Sequence, residues 1–157
     1  MHYFSKSVRM SFEEATVALM QALKHHHLEI LAEIDLGHAL RRHLAVDFRP
    51  YLIVSACSLR LAHRAIEASD NIGSILLCNV VIQQHEKGHV EISTVDPATT
   101  IGTINHVDLM WTARELRSLV QQAIDDVENF AKSRHPSRHC EVAGRPLAHA
   151  YPRQTGV

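Results

Sequence analysis

No charge of one sign dominates this chain. Sixteen Lys and Arg stand against seventeen Asp and Glu in 157 residues, a formal net charge of −1. The sequence therefore lacks the electrostatic footprint of a nucleic-acid partner or of an anionic membrane surface. Lys132, Arg134, Arg138, Arg145 and Arg153 are isolated and have no interleaved aromatics, so they describe a solvated segment and not a nucleic-acid strip. No apolar run reaches transmembrane length, and Met1–Arg9 lacks the continuous apolar stretch of a secretory signal. The expected location is cytoplasmic, with neither membrane nor nucleic acid as partner. Cysteine is scarce as well. Cys57, Cys78 and Cys140 are an odd count at wide spacing, which does not make a disulfide framework and suits a reducing compartment.

Catalytic signatures are equally thin. The glycine-rich phosphate loops of nucleotide enzymes are absent, as is the Gly-x-Ser-x-Gly elbow of the α/β-hydrolases. Asp35, Asp47, Asp96 and Asp108 are scattered near element ends, where aspartate caps helices or makes turns, and form no paired-carboxylate set. His85-Glu86-Lys87-Gly88-His89 matches the His-Glu-x-x-His pattern of zinc proteases, but that chemistry needs a helix to present both imidazoles to one ion. Here the match lies between two β-type runs, with Gly88 where a hairpin turn needs it, so it reads as exposed turn residues. His25, His26 and His27 are about 100° apart on a helix and cannot converge on one ion. His135, His139 and Cys140 have ligand chemistry but sit in a segment whose ordering binding would have to offset. No cofactor or metal is expected, and the balance leans away from an enzyme.

What is present is the composition of one domain: 46% hydrophobic and 21% charged residues, enough to bury a core without disulfides or metal. Tyr3 to Val8 reads as a short strand. Ser11 and Glu14 have capping-box spacing ahead of a helix whose apolar face is Phe12, Ala15, Leu19, Ala22 and Leu23. From Leu28 to Ile34 the period becomes two, predicting a strand with one buried face. A short helix or turn follows over 37–44. Tyr51–Cys57 and Ile75–Ile82 are apolar in both phases and read as central strands covered on both faces. A helix over 61–69 lies between them. Glu86-Lys87-Gly88 turns into an alternating strand, Val90–Val95, and Asp96-Pro97 opens a short helix. Leu109, Ala113, Leu116, Val120, Ala123, Val127 and Phe130 mark a long final helix packed on the sheet.

The expected architecture is α+β: an antiparallel or mixed sheet of four to five strands with two long helices packed on one face. Residues 1–132 form the single domain, and 133–157, rich in Ser, Arg, His, Pro and Gly, form a disordered C-terminal tail. Helices on one face leave the other face of the central strands bare, and a second copy of the chain is the simplest cover. A homodimer or larger homo-oligomer is therefore expected.

Glu33-Ile34-Asp35, Phe48-Arg49-Pro50-Tyr51, Ala56-Cys57, Leu61-Ala62-His63-Arg64-Ala65, Cys78-Asn79-Val80 and Val95-Asp96-Pro97, in this order and spacing, resemble a bacterial and archaeal family, domain-of-unknown-function family number 302. The resemblance covers roughly residues 3 to 130. It implies a compact α+β domain with dimers among similar proteins, and brings no established activity. Similar proteins usually have Asn-Pro after the first cysteine and Pro before the second, where this chain has Ser58-Leu59 and Leu77.

Two functional expectations follow. The first is a non-enzymatic small-ligand-binding or interaction module acting as a homo-oligomer, with its small-molecule ligand or partner near the ends of the central strands. The second is thiol chemistry, in which Cys57 and Cys78, assisted by His63, handle a redox equivalent, reactive sulfur or a soft metal. Cys57, Cys78, His63 and Asn79 are the candidate binding residues.

Overall fold

The computed structural model describes residues 3–101 and 107–133. Strand β1 (Tyr3–Arg9) leads into helix α1 (Phe12–His25), opened by a reciprocal capping box: the Glu14 backbone N–H donates to Ser11 Oγ and the Ser11 N–H to Glu14 Oε2. His27, at φ 58°, turns the chain out of α1 into β2 (Glu29–Asp35). Asp35 accepts from the His38 N–H and caps α2 (Leu36–Leu44). Then come β3 (Tyr51–Cys57), α3 (Leu59–Ala68), a 3-10 segment over Asp70–Ile75, β4 (Cys78–Glu86), β5 (His89–Val95), α4 (Pro97–Ile101) and α5 (Val107–Ser133).

The five strands form one sheet in the order β1-β5-β4-β3-β2, antiparallel at every pairing. α1 and α5 pack on each other and on one face of that sheet. Facing them, Val8, Val54, Ala56, Val80, Ile82, Val90 and Ile92 are fully buried, as are Leu19 and Leu23 of α1 and Leu116, Val120 and Val127 of α5. The long apolar stripe of the last helix is thus a core face and not a coiled-coil seam.

Three expectations are corrected. The strand predicted from Ile75 begins at Cys78, because Asp70–Ile75 winds into 3-10 turns before the chain extends. The strand after Leu28 does not bury one face. β2 is an edge strand, and a bulge at Leu31 separates the pairs Ile30↔Ala56 and Ala32↔Ser55. One extra residue transfers everything after it to the opposite face, so Ala32 and Ile34 fall on the side away from α1 and α5 and stay exposed. Finally, β3 and β4 are fully covered on one face only: on the other, Ile53 and Val81 are no more than partly buried among the described residues.

Ser133, placed at the start of the tail, is the last residue of α5. Residues 134–157, including His135, His139 and Cys140, lie outside the described residues.

Candidate functional site

Registered antiparallel strands place directly opposed residues on the same face, so the pairings define the open side of the sheet row by row. One row is Ile34, Ile53, Val81, Ser93 and Ser5, running across β2, β3, β4, β5 and β1. Beside it lie Ala32, Ser55 and Asn79, and on the other side Tyr51, Gln83, Glu91 and Ser7. The face is therefore divided. Its β2–β4 half is apolar at Ala32, Ile34, Ile53 and Val81, and its β5–β1 half is lined by serines.

Two polar features interrupt it. Ser55, buried, donates from Oγ to Asn79 Oδ1 at 2.6 Å, while the Asn79 carbonyl accepts from Thr94 Oγ1 at 2.9 Å. Arg49 lies over the rings of Phe48 and Tyr51, 4.7 and 5.8 Å from their centroids, and donates to Gln83 Oε1 at 2.7 Å. Gln83 Nε2 donates to Glu91 Oε2 at 3.2 Å, and the same oxygen receives His85 Nε2 at 2.8 Å. A continuous chain from Arg49 through Gln83 and Glu91 to His85 thus links the segment before β3 to β4 and β5. Each side chain is held by its neighbour.

The residues singled out from sequence are only partly brought together. Asn79 is on the open face, bound to Ser55. Cys57 and Cys78 are free thiols on neighbouring strands, but the register pairs Cys78 with Ala56, and alternation assigns Cys57 to the opposite pleat. Burial pushes the Cys57 thiol up, and pushes Cys78 up to about 12, with the charge of a Cys57 thiolate adding to the rise. His63 stands on the outside of α3, 76% exposed, with Nδ1 3.7 Å from Glu67 of its own helix. It offers no base to a buried thiol.

The histidines of the metalloprotease-like match occupy a hairpin, as its surroundings predict: His85 ends in β4, His89 opens β5, and Gly88 takes φ 80° between them. His26 Nε2 donates to Asp126 Oδ2 at 2.7 Å, and the hydrogen bonds from His26 and Asn129 hold the Asp126 carboxyl below the usual carboxylate range. Among the described residues no group of three or more His, Cys, Asp and Glu is placed to hold a metal ion. No helix among them is long and apolar enough to cross a membrane. A groove of about 800 Å³ opens at the β1 edge, lined by Arg9 and Lys132 but also by Glu14 and Glu128, and so favours neither sign of ligand charge.

Sequence reasoning missed Arg49, Ser55, Gln83 and Glu91. Ser55 carried a signal, being the one serine in a mostly apolar strand. The others become a set only when β3, β4 and β5 are in register.

A one-layer antiparallel sheet backed by two helices defines a class of α+β domain, and comparison with known proteins narrows it. The model of the domain of unknown function DUF302 matches residues 4–127, and the chain belongs to that family. An uncharacterised conserved DUF302 protein from Bacillus stearothermophilus, whose crystal structure has been solved, superposes with a TM-score of 0.72 at 23% sequence identity, covering 80% of this chain and 97% of its own. That likeness carries the fold alone. None of the curated proteins matches the chain.

Proposed function

We propose that this protein is a non-enzymatic interaction module that works in the cytoplasm as a homo-oligomer, with the sheet face opposite α1 and α5 as its contact surface. The observation that carries the reading is the one-sided sheet. Ile34, Ile53 and Val81 form an apolar row across its β2–β4 half, and among the described residues none of the three is fully buried. Partly exposed apolar strands flanked by hydrogen-bonded polar groups fit the core-and-rim composition of protein interfaces. The two buried, reduced cysteines suit a reducing compartment.

Thiol chemistry gains no support from the geometry. A nucleophilic or metal-binding cysteine needs its thiolate, and burial acts on both sulfurs in the opposite sense.

The reading is tested by light scattering coupled to gel filtration at micromolar concentration. The expected mass is at least twice 17.7 kDa, and Val81→Lys, which places a charge in the apolar row, is expected to shift it towards the monomer. A monomeric wild type, or turnover of any substrate class in an activity screen, would overturn it.

A further inference from the structure

The open face of the sheet is unequal on the two sides of its apolar row, and the inequality selects how a second copy can lie on it. Ile34, Ile53 and Val81 make that row, with Ile53 at its middle on β3. Two residues along β3 on one side stands Tyr51, paired with Gln83, and two residues along on the other stands Ser55, paired with Asn79. One flank is bulky and the other small. Side chains of a strand stand roughly perpendicular to the sheet, so a partner meets this relief directly.

Hydrogen bonding is unequal in the same sense. On the small flank Asn79 Oδ1 accepts from Ser55 Oγ, while Asn79 Nδ2 has no partner among the described residues. On the bulky flank the Tyr51 hydroxyl has none among them either. One flank thus holds a spare donor and the other a spare hydroxyl. Just before Tyr51 in the chain, Arg49 donates to Gln83 Oε1 and so lies at the bulky end of the same face.

An isologous pair needs a two-fold axis in the plane of contact, and two directions of that axis bring Ile53 against the partner's Ile53. An axis parallel to the strands leaves each flank over its own copy. Tyr51 would then stand on the partner's Tyr51 and Arg49 against the partner's Arg49, bulk on bulk and charge on like charge, which disfavours association. An axis perpendicular to the strands exchanges the flanks. Tyr51 then lies over the partner's Ser55, with its hydroxyl beside the amide of the partner's Asn79. Ile34 and Val81 still meet their own copies, and the two Arg49 guanidinium groups part to opposite ends of the contact.

We propose that the second copy lies on the open face across the perpendicular axis, with Tyr51 of each protomer seated on the partner's Ser55 and the partner's Asn79. The inference rests on the homo-oligomer reading and deepens it by naming how the copies meet.

Cross-linking of full-length proteins with a short bismaleimide decides it. Each protein carries Cys140→Ser, so that only Cys57 and Cys78, both buried, remain beside the introduced thiol. Ile53→Cys is expected to cross-link to its own copy. Tyr51→Cys and Ser55→Cys are each expected to stay uncoupled alone and to give at least about tenfold more cross-linked dimer when mixed and refolded together, because four residues of strand add about 13 Å to any self-contact. Ile34→Cys and Val81→Cys, which leave Tyr51 in place, repeat the test, and each is expected to cross-link to itself. Tyr51→Cys coupling to itself, or Ile34→Cys coupling to Val81→Cys but not to itself, would overturn this docking in favour of the parallel axis. No cross-link at Ile53→Cys in a protein of dimeric mass would overturn it by moving the contact off this face. A monomeric wild type in light scattering would remove the reading on which it rests.

Discussion

Cys78 shows how much the surroundings of a residue decide about its chemistry. A cysteine in a strand named for its apolar run can be a nucleophile or a small hydrophobe, and what separates them is the stability of the thiolate. With the thiol pushed up to about 12, the anion is a negligible fraction at neutral pH. In the folded protein Cys78 is therefore expected to react with iodoacetamide at pH 8 at least about a hundredfold more slowly than a free exposed thiol such as glutathione, and to become reactive in denaturant. Rapid labelling of folded protein, read by mass spectrometry, would show instead that the site opens or that the thiolate is stabilised. Nothing in the order of residues 57 and 78 discloses this: both lie in apolar strands, and whether they meet depends on a pairing that puts Ala56 opposite Cys78.

Elements were legible wherever a local rule was sufficient. The start of α1 is written in Ser11 and Glu14, whose side chains each satisfy a backbone N–H at the helix end. Ser11→Ala removes one acceptor and unbalances the other, and is expected to cost about 1 kcal/mol in urea unfolding. A midpoint equal to wild type would mean that water replaces the cap without loss. The β4–β5 turn was legible for the same reason, since Gly88 at φ 80° is a residue-level requirement. β2 was not. Its alternation from Leu28 to Ile34 is regular in sequence, and the bulge that inverts its second half arises from pairing with β3, which a single strand does not encode. The open-face chain of Arg49, Gln83, Glu91 and His85 was hidden likewise, because its members come from two strands and a loop.

At the scale of the whole molecule, stability depends on holding α1 and α5 to each other and to the sheet. Much of that is apolar packing, but one polar tie joins the end of α1 to α5 through His26 and Asp126. The Asp126 carboxyl is held below its ordinary range in the folded state, so its contribution is present above the carboxylate pKa of the unfolded chain and is lost as pH falls through the lower, folded value. Asp126→Asn is expected to flatten part of the acid limb of a plot of melting temperature against pH. An unchanged acid limb would assign acid sensitivity to other carboxylates.

The strand order carries one more consequence, for the making of the protein. β2, β3 and β4 follow each other around the sheet, and β5 joins β4 by a tight hairpin, but β1 lies at the far edge and bonds only to β5. Made before the other four strands, β1 thus has no partner until β5 has emerged. Through that interval α1, held by its own capping box, lacks α5 and the β5–β1 half of the sheet. Closing the β1–β5 pair spans most of the domain, a long-range step of the kind that slows folding, and it comes last for the segment made first.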